Sequence, residues 1–264
     1  MATYLDRILE AHRSAARADP RSLSELSARA RSCEPPRGFL EGLRQASQRG
    51  DPVAVIAEIK RRSPSKGDMA VDIDVAKIAR AYEAGGAACI SVLTDHRFFG
   101  GSPDDLDQAR SASRLPILRK DFTVHAADVY DARLMGADCV LLIVAALGES
   151  ELVELHALAC ELGLDALVEV HDEAELDRAI GMGATLVGVN QRDLVTFDVD
   201  PRRAIELASK MPAGIVTVAE SGITSAKDCV PLAVAGFDAV LVGEALVTHP
   251  DPTRAVRAMR AATG

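Results

Sequence analysis

From residue 53 onward the chain alternates short apolar runs with longer stretches of helical period. Eight runs, at 53–59, 88–93, 116–119, 139–144, 166–170, 186–190, 215–219 and 239–242, are rich in Val, Ile, Leu and Ala. Each is short and nearly continuous in its hydrophobicity, which predicts a strand covered on both faces rather than one with a wet side. Between them lie predicted helices at 73–84, 103–111, 126–135, 149–162, 172–180, 201–208 and 225–235, with a last one at 252–259. Several of these run into glycine, as at Gly85-Gly86-Ala87, Gly136-Ala137, Gly183-Ala184 and Gly236-Phe237. Glycine there supplies the left-handed residue that closes a helix. The strand ends fall at Lys60, Leu93, Lys120, Ile143, Glu169, Asn190, Glu220 and Gly243, separated by 21 to 33 residues. That spacing suits a βα unit, and eight units predict an α/β fold of the (β/α)8 TIM-barrel class. The competing architecture is an open doubly wound sheet, but no GxGxxG follows the first strand.

Residues 1–48 break the pattern. They hold no strand candidate. Leu5, Ile8 and Leu9 share one helical face, Asp19-Pro20 interrupts, a weaker helix covers 22–31, and Phe39, Leu40 and Leu43 follow Pro35-Pro36. A narrow apolar stripe needs a surface to cover. The expectation is an N-terminal helical extension, 1–48, packed as a cap on a barrel catalytic domain, 49–264, the two forming a single domain overall.

Composition narrows the function. The chain has 264 residues, 48% apolar, with scarce aromatics and no Trp, a mixture suited to aliphatic layers inside a parallel sheet. Its net charge of −9 disfavours a nucleic-acid partner. An anion can still be bound, because surface charge is screened over about 8 Å in physiological salt. Five cysteines without a CxxC pair imply a reducing, cytoplasmic setting. Six scattered histidines without HxxxH spacing give no metal site. No signal peptide and no membrane-spanning run is present, so no membrane partner is expected.

The chemistry collects at the predicted strand ends. Glu58 and Lys60 stand two residues apart and therefore on one face of the first strand. Alone, such a pair reads equally well as a surface ion pair. The third strand ends in Lys120, the fifth in Glu169, the sixth in Asn190 with Arg192 beyond it, the seventh in Glu220-Ser221-Gly222, and the eighth in Gly243-Glu244. Active sites of (β/α)8 barrels lie at that rim. Convergence of these groups makes Lys60, Lys120 and Glu169 candidates for metal-free acid–base work, with Asn190 orienting a hydroxyl or carbonyl. A lysine Schiff base of the aldolase type is the chemical alternative. The loops after strands seven and eight suit a phosphate held by backbone N–H groups.

These motifs together resemble the indole-3-glycerol-phosphate synthase family. The residues that carry the resemblance are Ala57-Glu58-Ile59-Lys60 with Ser63-Pro64-Ser65-Lys66-Gly67, Phe99-Gly100-Gly101-Ser102, Leu118-Arg119-Lys120-Asp121-Phe122 and Val168-Glu169-Val170-His171. They continue through Gly188-Val189-Asn190 with Arg192-Asp193-Leu194, Ala219-Glu220-Ser221-Gly222-Ile223 and Val242-Gly243-Glu244-Ala245-Leu246. The resemblance implies a carboxy-lyase of tryptophan biosynthesis that closes the ring of 1-(2-carboxyphenylamino)-1-deoxyribulose 5-phosphate and releases CO2 and water, without a cofactor. By the same resemblance Lys120 is the acid at the carbonyl and Glu169 assists in dehydration. Lys60 holds the carboxylate or phosphate and is a candidate second acid. Glu58, Asn190 and Glu220 position these groups. Ser63, Ser221, Gly222, Gly243 and Glu244 bind phosphate or carboxylate, and Arg192 supports its loop. Phe99, Phe122, Leu142 and Leu194 line a slot for the aromatic ring, although Phe122 also reads as plain core.

Three positions depart from the family pattern: Gln191, Arg62, and Glu244, whose carboxylate must point away from a phosphate. Two alternatives remain. One is another phosphosugar barrel such as phosphoribosylanthranilate isomerase, which needs a cysteine where Lys60 stands. The other is a non-catalytic anion-binding barrel. The expected assembly is a monomer or weak homodimer, with association with other tryptophan-pathway enzymes left open. The chain ends soon after the eighth helix, so no fused isomerase is expected.

Overall fold

The computed structural model describes residues 3–63 and 66–262; Pro64 and Ser65 of the Ser63–Gly67 motif lie outside the described residues. Eight parallel strands close into a barrel: β1 (Ala54–Ile59), β2 (Cys89–Leu93), β3 (Ile117–Lys120), β4 (Cys139–Ile143), β5 (Asp165–Val170), β6 (Leu186–Asn190), β7 (Val216–Glu220) and β8 (Ala239–Val242). Closure is between β1 and β8, in register from Ala54↔Ala239 to Ala57↔Val242. All eight predicted strands are present, shifted by at most one residue at either end. A helix follows each strand, and the four-residue helices His96–Phe99 and Glu244–Val247 and a small hairpin pairing Arg62–Ser63 with Gly67–Asp68 are added at the rim. Such short pieces have too few residues to show a period. No described helix is long and apolar enough to cross a membrane.

Alternation along the strands separates two apolar layers. Val55, Ala57, Val92, Val140, Leu142, Val168, Val187 and Val240 face the surrounding helices. Ala54, Ile56, Cys89, Leu118, Cys139, Leu141, Leu167, Val218 and Leu241 fill the barrel interior. The interior rows end in polar groups: Ala54 and Ile56 lead to Glu58, Leu118 to Lys120, Leu167 to Glu169 and Val218 to Glu220. The same geometry corrects one expectation. Leu142 lies in the outer layer, fully buried. Cys139 is internal, so Leu141 and Ile143 share its face and Leu142 takes the opposite one.

The first three helices divide their work. α1 (Tyr4–Ala18) crosses the mouth of the barrel at the C-terminal ends of the strands, where Tyr4, Leu5 and Ile8 roof the central cavity. α2 (Leu23–Arg31) packs beside the helix Ala126–Leu134. α3 (Phe39–Gln48) closes the opposite end, with Phe39, Leu43 and Ala46 buried against the interior layer. Each large apolar side chain sealed there contributes on the order of 1.5–3 kcal/mol. The backbone N–H of Leu40 donates to Asp165 Oδ2 at 2.8 Å and that of Arg37 to Asp138 Oδ1 at 2.7 Å, which ties the plug to the strand starts.

Candidate active site

A cavity of about 650 Å³ fills the mouth of the barrel. Of the residues singled out from sequence, it is lined by Glu58, Lys60, Ser63, Phe99, Lys120, Phe122, Glu169, Asn190, Arg192, Leu194, Glu220, Ser221, Gly222, Gly243 and Glu244. Leu142 is excluded by its register, and Leu141 and Ile143 line the wall in its place. Sequence reasoning missed the roof (Tyr4, Leu5 and Ile8) and Phe197 on the loop after β6. The apolar stripe of α1 was visible in the sequence, but its partner surface was not.

Lys120 stands at the centre. Its Nζ lies 3.3 Å from Glu169 Oε2 and 3.4 Å from Glu220 Oε2. Burial opposes its ammonium form, but Glu169, Glu220 and Glu58 outweigh that and hold its pKa well above the ordinary lysine value. Two buried carboxyls beside one ammonium cannot both ionise cheaply. Glu169 is the anion. Burial works against its charge, but Lys120, His171 and a 3.0 Å bond from Asn190 Nδ2 to Oε1 prevail, and its pKa is lowered. Glu220 is the acid form. Burial, reinforced by Glu169 and Glu58 and only partly countered by Lys120, pushes its pKa up to about 8. Gly188 on β6 makes the room: a Cβ there would stand 2.1 Å from Glu220 Oε1.

The sign of the resulting pH dependence follows directly. Below the ordinary glutamate range Glu220 is protonated both folded and unfolded. Between that range and pH 8 only the folded state keeps the proton, so stability from this group falls as pH rises and is lost above about 8. Glu220→Gln keeps the neutral shape and removes the slope. Its Tm should therefore exceed that of the parent protein at pH 9 by about 2 °C or more, and the difference should shrink at pH 5. Thermal melts at the two pH values check this, and an equal offset at both would contradict the assignment.

Lys60 Nζ and Glu58 Oε1 pair at 2.6 Å across the end of β1. Gly243, just past β8, is a packing requirement of that pair, since a Cβ there would lie 2.4 Å from Glu58 Oε1 and 3.0 Å from Lys60 Nζ. Ser221 and Gly222 both have positive φ, 64° and 75°. Ser221 is strained there as a non-glycine residue. Gln191 Nε2 donates to its carbonyl at 2.8 Å and holds the turn, which gives the Gln191 departure a structural role. Glu244 is bonded to Lys66 Nζ at 2.7 Å. Lys60, Lys66 and Arg192 stand on the β6–β8–β1 side of the mouth, the two lysines paired with Glu58 and Glu244. Phe99, Phe122, Leu141 and Ile143 make the β2–β4 side apolar, the two rings lying 6.3 Å apart.

The roof is latched by His12 of α1, whose Nε2 lies 3.0 Å from Asp95 Oδ2 and 3.9 Å from Asp121 Oδ1. His12, Asp95 and Asp121 are close enough to hold a cation, but their atoms are already engaged. Asp95 caps the helix His96–Phe99 through the N–H groups of Phe98 and Phe99, and Asp121 accepts from Thr94, Arg119 and the Phe122 N–H.

The cavity thus has one charged and one apolar end. The family model described as Indole-3-glycerol phosphate synthase matches residues 5–259. The chain belongs to the indole-3-glycerol phosphate synthase family. A protein of that name from Mycobacterium avium (strain 104) is 49% identical over 257 residues, covering 97% of this chain and 93% of that one. Another from Mycobacterium tuberculosis (strain ATCC 25618 / H37Rv) is 48% identical over the same coverage. A solved structure, thiamine phosphate pyrophosphorylase from Pyrococcus furiosus, aligns with a TM-score of 0.60 at 16% identity over 80% of this chain and 95% of its own. That likeness is one of fold alone. Membership of the synthase family covers the whole barrel and most of α1, the element that roofs its cavity.

Proposed function

We propose that the chain performs the reaction of its family, conversion of 1-(2-carboxyphenylamino)-1-deoxyribulose 5-phosphate to indole-3-glycerol phosphate, CO2 and water, at the Lys120–Glu169–Glu220 cluster. The observation that carries this reading is the placement of one ammonium, Lys120, between an ionised and a neutral carboxyl at the junction of the charged and apolar ends of the cavity. The substrate has the matching layout: phosphate at one end, aromatic ring at the other, ketone between.

In this reading the ring lies against Phe99, Phe122, Leu141, Ile143 and Leu194. The phosphate lies against Ser221, Gly222, Gly243 and Glu244 with Lys66 and Arg192 nearby. Ser63 and Lys60 take the carboxylate or phosphate, and Glu58 holds Lys60 through the 2.6 Å pair. As the aromatic carbon attacks the ketone, the oxygen gains charge. Lys120 supplies its proton then, because an alkoxide is basic enough to take a proton that the carboxyls hold tightly on the lysine at rest. CO2 leaves and the ring regains aromaticity. Dehydration needs an acid at the departing hydroxyl and a base at the neighbouring CH2, roles that Glu220 in its neutral form, Glu169 and Lys60 supply between them. Asn190 orients Glu169. The α1 roof, Tyr4, Leu5 and Ile8, keeps water from the reacting atoms. Residues 1–48 then serve as the cover and plug of a catalytic barrel at 49–264. The partner is the small phosphorylated substrate, and the assembly a monomer or weak homodimer. Five free cysteines fit work in a reducing cytoplasm.

Mixing the purified protein with the substrate and following indole fluorescence tests the reading. The chain has no Trp, so its own emission is low. Product should form under steady-state conditions, and its absence at micromolar enzyme would overturn the reading.

A further inference from the structure

Little of the α1 roof is packed. Of its 15 residues only Ile8 is buried. Tyr4, Leu5 and Ile8 face the cavity, so the helix draws little stability from core burial and depends on polar ties. Two such ties stand side by side in its second half. Arg13 reaches the Glu151 carboxylate at 2.5 and 2.8 Å and the Ala146 carbonyl at 3.2 Å. His12 Nε2 reaches Asp95 Oδ2 at 3.0 Å, with Asp121 Oδ1 3.9 Å away. Arg13 is held above its ordinary value and Glu151 below its own, so that tie is charged throughout the neutral range. The His12 tie contains a group that titrates within that range.

His12 meets the barrel behind the aromatic slot. Its ring lies 5.3 Å from that of Phe122, which lies 6.3 Å from Phe99. Asp121 and Phe122 directly follow Lys120 in the chain. The Asp121 carboxylate is fixed by Thr94 Oγ1 at 2.5 Å, Arg119 Nη2 at 3.0 Å and the Phe122 N–H at 2.9 Å. Arg119 reaches on to the Asp128 carbonyl at 2.8 Å. The segment is thus held firmly from behind, and His12 joins it to the roof without itself lining the cavity. We propose that His12 is a positioning residue of the aromatic slot: its imidazolium, held between Asp95 and Asp121, keeps α1 closed over Phe122 and fixes the wall against which the substrate's ring binds. The inference rests on the function proposed above, since it names what sets the grip of that same site on its substrate.

The charges around the ring favour its protonated form. Burial opposes the imidazolium, but Asp95, Asp121 and Asp128 outweigh it, and His12 titrates above its ordinary value. Burial also resists charge on Asp95, yet His12 and the N–H groups of Phe98 and Phe99 prevail and lower its pKa. Asp128, on the helix Ala126–Leu134, is pushed up by burial against the pull of Arg119. Below the ordinary histidine value the ring is charged whether the roof is closed or open, and the tie is at full strength. Between the ordinary and the raised value only the closed roof keeps the proton. Above the raised value the ring is neutral in both, and the ionic part of the tie is lost.

The test compares His12→Gln with the parent protein at pH 6 and pH 9, in buffers containing EDTA. Glutamine keeps a neutral hydrogen bond to Asp95, and a charge-assisted one is about twice as strong, so KM should rise about fivefold at pH 6 and change little at pH 9. The turnover number should stay within about twofold at both. Glu220 and the substrate phosphate titrate alike in the two proteins, so the KM ratio isolates His12. Asp95→Asn, whose oxygen can still cap the helix His96–Phe99, should lose the pH dependence in the same way. Hydrogen exchange follows the roof without substrate: protection of the α1 amides should fall about fivefold from pH 6 to pH 9 in the parent protein and not in His12→Gln. A KM ratio equal at both pH values, or a loss of kcat in place of a rise in KM, marks a merely structural role and overturns the proposal. So does α1 protection in the parent protein that is indifferent to pH. Failure of the parent protein to form indole would overturn the function instead, and the exchange measurement would still decide whether His12 holds the roof.

Discussion

Lys120→Met should lower kcat by about 10²- to 10⁴-fold while leaving substrate affinity largely intact. The ammonium touches both Glu169 and Glu220, and among the described residues no other cation comes as near to that pair. Methionine fills a similar volume without a proton to give. The fold should survive the change, because Glu220 is already neutral near pH 7 and Glu169 keeps Asn190 and His171 as partners. The phosphate and ring contacts lie at the two ends of the cavity, away from the substituted group, so binding energy is retained while stabilisation of the transition state is lost. Steady-state kinetics with an independent measurement of substrate binding check this. Near-normal turnover would place the first proton on another group.

Glu169→Gln should reduce indole formation by a similar factor, with a different signature. If Lys120 drives ring closure and Glu169 acts in dehydration, the variant should release CO2 in its first turnover and build up a decarboxylated, hydroxylated intermediate. The amide keeps the contact with Asn190 but cannot take up a proton. Lys120 also loses the largest of its three carboxylate influences, so its proton becomes easier to give. Rapid-quench analysis of CO2 and indole in parallel decides the matter: a CO2 burst without indole supports the division of labour, and loss of both together contradicts it.

The barrel was legible because its strands are apolar on both faces and end in charge. Glu58 and Lys60, two apart on a strand, do pair on one face, and the ends of β3, β5, β6 and β7 deliver Lys120, Glu169, Asn190 and Glu220 to the same cavity. Leu142 shows the limit of such reading. In a continuous run such as Cys139–Ile143 every residue is apolar, so the sequence carries no parity and only the closed barrel assigns Leu141 and Ile143 inward. The amphipathic stripe of α1 could be seen, but not that Ile8 roofs the cavity while Phe39 plugs its far end, since those partners lie far along the chain. Charge states were also hidden. Glu169 and Glu220 look alike in sequence, and their opposite shifts come from burial weighed against Lys120, which His171 and Asn190 reinforce at Glu169 while Glu169 and Glu58 oppose it at Glu220, all set by three-dimensional neighbours.

The most direct measurement uses substrate labelled in its carboxyl carbon, incubated with the purified protein in buffer without added cofactor. The expected result is one labelled CO2 for each indole formed, with both signals lost in Lys120→Met. Consumption of substrate without labelled CO2, giving an isomer in place of indole, would contradict ring closure at this site.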